Sequence, residues 1–143
     1  MDLDTYFMEI AKLVAKRSTC VKQHVGAVLV KDKHIIATGY NGAPRGLPHC
    51  TRETCKRLNV SSLEESHLCR GVHAEANCII QAALHGVSTE GATIYTTHFP
   101  CMSCVKMLIN AGVKRIVYHE PYDMDNEVKM EMIRLAGIKV DRV

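Results

Sequence analysis

Apolar side chains recur along the chain with a period that changes from helical to strand-like. Positions 3, 6, 7, 10, 13 and 14 are apolar, with aspartates at 2 and 4 at the start of the pattern and basic residues at 16 and 17 at its end. This spacing, with a charge order that suits the helix dipole, predicts a first amphipathic helix. Two short apolar runs, 25–30 and 34–39, flank Lys31-Asp32-Lys33. They predict a β-hairpin.

The second half of the chain alternates helical and strand patterns after an irregular stretch. Residues 40–70 have no clear period, and glycines and prolines at 42, 44, 46 and 48 interrupt them early. Beyond them, we predict helices at 73–84, 102–111 and 126–136, each followed closely by a glycine, and strands at 92–97, 115–118 and 138–140. Short links between helices and strands predict parallel strands between helical layers. We therefore expect one domain over residues 1–143 of the α/β class, a three-layer α/β/α sandwich whose mixed central sheet begins with an antiparallel hairpin.

Length and composition indicate a single globular domain rather than a membrane protein. The 143 residues suit a single domain, and 47% apolar with 23% charged residues is ordinary for a globular chain. The longest apolar runs, such as 27–30, fall far below the roughly 18 residues that span a membrane. The N-terminus opens with acidic residues and lacks the pattern of a signal peptide. We expect a soluble, cytoplasmic protein with no membrane partner.

The net charge is small, and the basic residues are spread along the chain. Eighteen basic and fifteen acidic residues give +3 with histidines neutral. A nucleic-acid-binding protein usually carries a basic stripe or cluster, and the sequence has none. A small anionic substrate therefore fits the chain better than a nucleic acid.

Seven cysteines without a secretion signal indicate metal binding or catalysis rather than disulfides. Cys101 and Cys104 are three residues apart at the start of a predicted helix, so both sulfurs lie on one face, near the positive helix end that favours thiolates. His73 also opens a predicted helix. One imidazole and two thiolates provide three zinc ligands and leave a fourth position for water, which is the catalytic rather than the structural arrangement.

Glu75 follows the predicted ligand His73 by two residues and can lie beside the metal-bound water without binding the metal. Zinc lowers the pKa of that water to about 7. The carboxylate can then carry a proton from the water to a ring nitrogen and on to a leaving amine. The combination of HxE and PCxxC is the known pattern of zinc-dependent nucleobase deaminases. A structural zinc site or a thioredoxin-like redox pair would leave Glu75 unexplained.

Taken together, these motifs resemble the deoxycytidylate (dCMP) deaminases of the cytidine deaminase superfamily, and the bacterial late-competence-operon members look most similar. The resemblance implies a sandwich of the cytidine deaminase type. It implies hydrolysis of dCMP to dUMP and ammonia for thymidylate synthesis, with zinc-bound water attacking C4 of the base. It also implies a homo-oligomer, a hexamer or trimer, that is activated by dCTP with Mg²⁺ and inhibited by dTTP. The matching segments are Arg17-Ser18-Thr19-Cys20, Val25-Gly26-Ala27, Gly39-Tyr40-Asn41-Gly42, His73-Ala74-Glu75, Pro100-Cys101 through Cys104, and 118–122.

The same resemblance assigns roles to residues outside the metal motif. Asn41 matches the family's substrate-loop asparagine and would bond the sugar hydroxyl, although Asn-Gly is also a common turn. Ala74 would offer backbone groups to the base. Arg17 and Ser18 are candidates near the phosphate, and Arg17 could equally be an exposed charge that suits the helix dipole. Tyr122 would stack on the nucleotide or simply pack within its loop.

Two other functions share part of these signals. A tRNA adenosine or free-base deaminase has the zinc motif, but it lacks the context of residues 17–20 and Asn41 together with the long loop. A zinc-stabilised accessory binding module, which the competence-operon resemblance also suggests, would need no proton-transferring group such as Glu75.

Four further cysteines predict a second, structural zinc site. Cys20, Cys50, Cys55 and Cys69 form a potential tetrahedral set, and a metal would fix an irregular segment that is otherwise long for a compact domain. His49 or His67 could replace one sulfur. Some dCMP deaminases carry a second zinc near these positions and others do not, and four unrelated thiols are the alternative.

Overall fold

The computed structural model describes residues 1–56 and 68–143 and contains four helices and five strands within them. In chain order the elements are α1 (Leu3–Ala15), β1 (Gly26–Lys31), β2 (His34–Tyr40), α2 (Ala74–Leu84), β3 (Thr93–His98), α3 (Met102–Asn110), β4 (Arg115–Glu120), α4 (Glu127–Leu135) and β5 (Lys139–Arg142). Each predicted helix and strand coincides with one of them, with ends that differ by at most two residues. Asp2 caps α1 by accepting a hydrogen bond from the Thr5 amide at 2.8 Å.

The five strands form one mixed sheet in the order β2-β1-β3-β4-β5. β1 pairs antiparallel with both β2 and β3, whereas β3, β4 and β5 are parallel. The β1–β2 turn has positive φ at Asp32 and Lys33, the left-handed geometry that tight hairpins require. The expected hairpin and the expected parallel stretch are therefore both present.

Helices cover both faces of this sheet. α1 packs its Phe7 and Met8 on Val28, Val30 and other side chains of one face. The intervening residues of the same strands point the other way, where they form the larger core cluster with residues of α2, α3 and α4. This alternation is the strand period of two, and it produces the expected three-layer sandwich. In the part of the chain that is described, no helix is both long and apolar enough to cross a membrane.

Candidate active site and metal centre

Two helix N-termini bring the three predicted metal ligands together. His73 is the N-cap residue of α2 and Cys101 that of α3, and neither side chain makes a capping hydrogen bond. The Nδ1 atom of His73 lies 3.3 Å from Sγ of Cys104 and 3.4 Å from Sγ of Cys101. Across residues 1–56 and 68–143, this is the one set of three or more potential ligand atoms that all lie within 4.8 Å of one another.

The donor set fits zinc. Tetrahedral zinc with bonds of about 2.3 Å to sulfur and about 2.0 Å to nitrogen places those donors about 3.5 Å apart, close to the observed separations. Hydrogen bonds from the Cys104 thiol and from His73 stabilise the Cys101 thiolate and lower the pKa of Cys101 to about 4. Cys101 is therefore poised to bind a metal as the thiolate that zinc ligation requires, whereas the hydrogen bond to Cys101 and burial raise the pKa of the Cys104 thiol, whose proton a metal would have to displace.

Glu75 lies in the first turn of α2 and is buried beside the ligand set. Burial, reinforced by the negative charge of Cys101, raises the pKa of Glu75 to about 7. The Thr96 hydroxyl lies 3.4 Å from Oε1 of Glu75 and donates a 2.8 Å hydrogen bond to the carbonyl of His98. A carboxyl group with such a pKa can both accept and release a proton at neutral pH.

A cavity opens next to the ligand set, and it includes part of the predicted substrate site. Asn41, Ala74 and Tyr122 line it together with His73, Glu75 and Cys101. The structure does not bring Arg17 and Ser18 to this wall. Arg17 is exposed at the end of the α1 turn, and Ser18 is buried behind Asn41.

The Asn41 side chain holds the loop that precedes β1. Its Oδ1 accepts hydrogen bonds from the Val25 amide at 2.9 Å and from the Ser18 hydroxyl, and its Nδ2 donates to the Gln23 carbonyl at 2.8 Å. One of the two Nδ2 hydrogens remains for a further acceptor. The hydroxyl of Ser18 is thus engaged in positioning Asn41.

The four remaining predicted ligand cysteines line the same cavity. Cys20, Cys50, Cys55 and Cys69 are all partly buried, and burial raises the pKa of the Cys50 thiol, with Cys55, Cys69 and Cys20 adding to the effect. Their sulfurs do not form a group of three within 4.8 Å among the described residues. His49 is exposed, and His67 lies outside the described residues.

Sequence reasoning missed a set of basic residues on the cavity wall. These residues are Lys22, Lys56 and Arg70, and the Arg70 guanidinium donates to the Thr54 carbonyl at 2.8 Å. The signal available in the sequence was their position, since each follows one of the four cysteines by one or two residues. The structure thereby gives a nearly neutral chain a locally basic cavity.

His98 also lines the cavity. Its Nδ1 lies 2.9 Å from the Thr97 hydroxyl, which accepts a hydrogen bond from the Gly26 amide at 3.1 Å. Burial lowers the pKa of His98 and so favours the neutral ring at pH 7.

Residues 1–120 match the family model for the cytidine and deoxycytidylate deaminase zinc-binding region. The match covers most of the chain and includes every residue of the His73, Glu75, Cys101 and Cys104 set. The chain belongs to this family.

Named relatives agree with the family assignment. The chain is 43% identical to the ComE operon protein 2 of Bacillus subtilis, over 96% of this chain and 69% of that protein. It is 40% identical to the deoxycytidylate deaminase of Schizosaccharomyces pombe, over 96% of this chain but only 42% of that enzyme's length. The crystal structure of the dCMP deaminase of cyanophage S-TIM5 in complex with dCMP and dUMP has a TM-score of 0.81, 28% identity and coverage of 100% of this chain and 99% of that one.

Proposed function

We propose that this chain is a zinc-dependent deoxycytidylate deaminase, which hydrolyses dCMP to dUMP and ammonia. The observation that carries the proposal is the buried Glu75 carboxyl group beside the His73, Cys101 and Cys104 set, at the wall of a cavity. A binding module needs the metal ligands but has no use for a buried acid beside them. Similarity to proteins named deoxycytidylate deaminase, one of them solved with dCMP and dUMP, supports this choice of substrate.

Different residues of this chain would bind the metal and transfer the protons. His73, Cys101 and Cys104 would hold a zinc ion, which would supply Lewis acidity and make a water molecule nucleophilic at neutral pH. Glu75 accepts one proton of the attacking water and delivers it to the ring nitrogen, and it then carries the proton that remains on the C4-bound oxygen to the exocyclic amine. The oxygen is then bonded to C4, the C4–N bond breaks and ammonia leaves.

The cavity wall provides contacts for the rest of the nucleotide. The remaining Nδ2 hydrogen of Asn41 bonds the sugar hydroxyl, Ala74 offers backbone groups to the base and Tyr122 stacks on the nucleotide. Arg70, with Lys22 and Lys56 on the same wall, binds the 5′-phosphate. These cations replace Arg17 and Ser18 in that role, because neither of the latter lines the cavity.

The proposal includes a structural zinc at Cys20, Cys50, Cys55 and Cys69. Its support is that all four thiols line one cavity and that burial, with the other three cysteines adding to it, raises the pKa of Cys50. A metal there would fix the turn at 51–54, which Arg70 also contacts, and would thereby hold the basic wall in place.

Assembly and control follow from the family resemblance. We propose a homo-oligomer, a hexamer or trimer, with dCTP and Mg²⁺ as activator and dTTP as inhibitor. The similarity to deoxycytidylate deaminases over nearly the whole chain supports this part of the proposal.

The decisive experiment measures ammonia release from dCMP by zinc-loaded wild type and by Glu75→Gln. The amide keeps the shape of the side chain but transfers no proton, so we expect kcat to fall by about 100-fold or more with zinc content unchanged. Glu131→Gln, an exposed change on α4, is the matched control and should retain full activity. A Glu75→Gln variant within tenfold of wild type would contradict the mechanism, and a wild type that releases no ammonia would contradict the function.

A further inference from the structure

Lys129 is a lysine with no exposed surface, in the first turns of α4. Its Nζ donates hydrogen bonds to the carbonyl oxygens of Pro100 at 3.1 Å and Tyr122 at 2.9 Å, and lies 3.7 Å from the Asp123 carboxylate. The ammonium also lies 4.9 Å from the centre of the Phe99 ring and 5.5 Å from that of Tyr122. Lysine is almost never fully buried without such partners.

The two carbonyls belong to segments that leave the sheet side by side. Pro100 immediately precedes the metal ligand Cys101 after β3, and Tyr122 follows β4, the parallel neighbour of β3. The last backbone bond between the two segments joins the Phe99 amide to the Glu120 carbonyl at 2.9 Å. Beyond this point the Lys129 ammonium links them.

We propose that Lys129 is a positioning residue of the active site, which holds the Cys101 turn and the Tyr122 loop at a fixed separation. This inference rests on the proposed function, because Tyr122 matters only if a nucleotide occupies the cavity. Lys129 acts through these two segments and touches no substrate itself. Its positive charge, three protons and full burial allow it to serve both carbonyls, which an apolar side chain of the same length would leave without donors.

The first test compares Lys129→Met with Ile133→Ala, a buried change on the same helix that removes core packing. We expect zinc transfer to a chelator to be at least about tenfold faster in Lys129→Met, in line with the usual effect of residues that orient metal ligands. Ile133→Ala should stay within about twofold of wild type at an equal margin below its own Tm. Equal release rates in the two variants would overturn the proposal.

The second test is a double-mutant cycle with Tyr122→Ala, in zinc-loaded protein with dCMP. If Lys129 acts through Tyr122, Lys129→Met raises KM more than it lowers kcat, and the double variant has about the KM of Tyr122→Ala alone. If the effects of the two single substitutions on KM multiply in the double variant, the coupling of Lys129 to Tyr122 is refuted. Should Lys129→Met not fold, Lys129→Gln, which has an amide donor of shorter reach, gives the same comparison.

The two tests separate this inference from the function on which it rests. A wild type that does not deaminate dCMP would refute the proposed function. Zinc release needs no substrate, so the comparison of Lys129→Met with Ile133→Ala would still decide whether Lys129 positions the Cys101 turn.

Discussion

Gly39 lets the sheet approach the helix that carries the candidate acid, and its replacement by alanine should therefore impair catalysis. A Cβ atom at Gly39 would lie 2.3 Å from the Ala74 carbonyl oxygen and 2.7 Å from the Cys78 amide nitrogen. Ordinary contacts begin at 3.4 Å, so the start of α2 would have to retreat by about 1.1 Å. That turn holds His73 and Glu75. A displacement of about 1 Å costs about 100-fold in rate, and overpacking costs about 1–3 kcal/mol of stability.

The assay measures kcat for dCMP, zinc content and Tm in Gly39→Ala and in the control Gly26→Ala. The control adds the same methyl group at the same close distance, since its Cβ would lie 2.3 Å from the Ala11 carbonyl oxygen. It displaces α1, however, which carries no predicted ligand or proton-transferring group. We expect similar losses of Tm, an approximately 100-fold loss of kcat in Gly39→Ala and a change within about threefold in Gly26→Ala. Equal losses of kcat in the two variants would refute the reasoning.

Four further outcomes test other parts of the structure. Arg70→Ala should raise KM for dCMP but leave that for deoxycytidine unchanged, because it removes a phosphate contact; equal effects on both would exclude that contact. Metal analysis should find two zinc ions per chain in wild type and one in Cys50→Ser, and a single zinc in fully metallated wild type would exclude the second site. dCTP with Mg²⁺ should shift the dCMP saturation curve to lower concentration and dTTP should oppose it, whereas unchanged curves would show an unregulated enzyme. Hydrogen bonds from Arg115 lower the pKa of Asp4 from 3.8 to about 2. Asp4 therefore adds stability that is present above pH 3.8 and lost as the pH falls towards 2, so Asp4→Asn should flatten the dependence of Tm on pH in that window, and an unchanged slope would contradict this.

The elements of this fold were predictable because each is marked by local chemistry. Aspartates at the start of α1, glycines after the later helices and short apolar runs in the strands are all signals that lie within a few residues of the element they mark. The order of the strands in the sheet could not be fully predicted from such local signals. The pattern indicated a hairpin and a parallel stretch, but the antiparallel pairing of β1 with β3, which joins the two, depends on contacts between residues about 70 apart in sequence.

The group of three potential metal ligands was predictable for the same reason, and the residues around it were not. Cys101 and Cys104 lie on one helical turn, and His73 opens a second helix, so spacing alone indicated a shared metal. The sequence pattern treats Lys129 as an ordinary polar position of a surface helix. Its burial depends on the carbonyls of Pro100 and Tyr122, which are 29 and 7 residues away. Only the folded chain brings these partners together.

The candidate active site and a network of charged hydrogen bonds lie at opposite ends of the parallel strands. The predicted metal ligand Cys101 and the Tyr122 loop follow the carboxyl ends of β3 and β4, where open α/β sheets usually bind their ligands. At the opposite end, Arg115 begins β4 and bonds Asp4 of α1 at 2.8 and 2.9 Å and Asp141 of β5 at 2.8 Å. Because this network joins α1 to the sheet without reaching the cavity, changes to it should alter stability and leave kcat intact. Changes to Gly39 or Lys129, which contact the segments that carry the predicted ligands, should cost stability and also impair catalysis, through kcat in Gly39→Ala and mainly through KM in Lys129→Met.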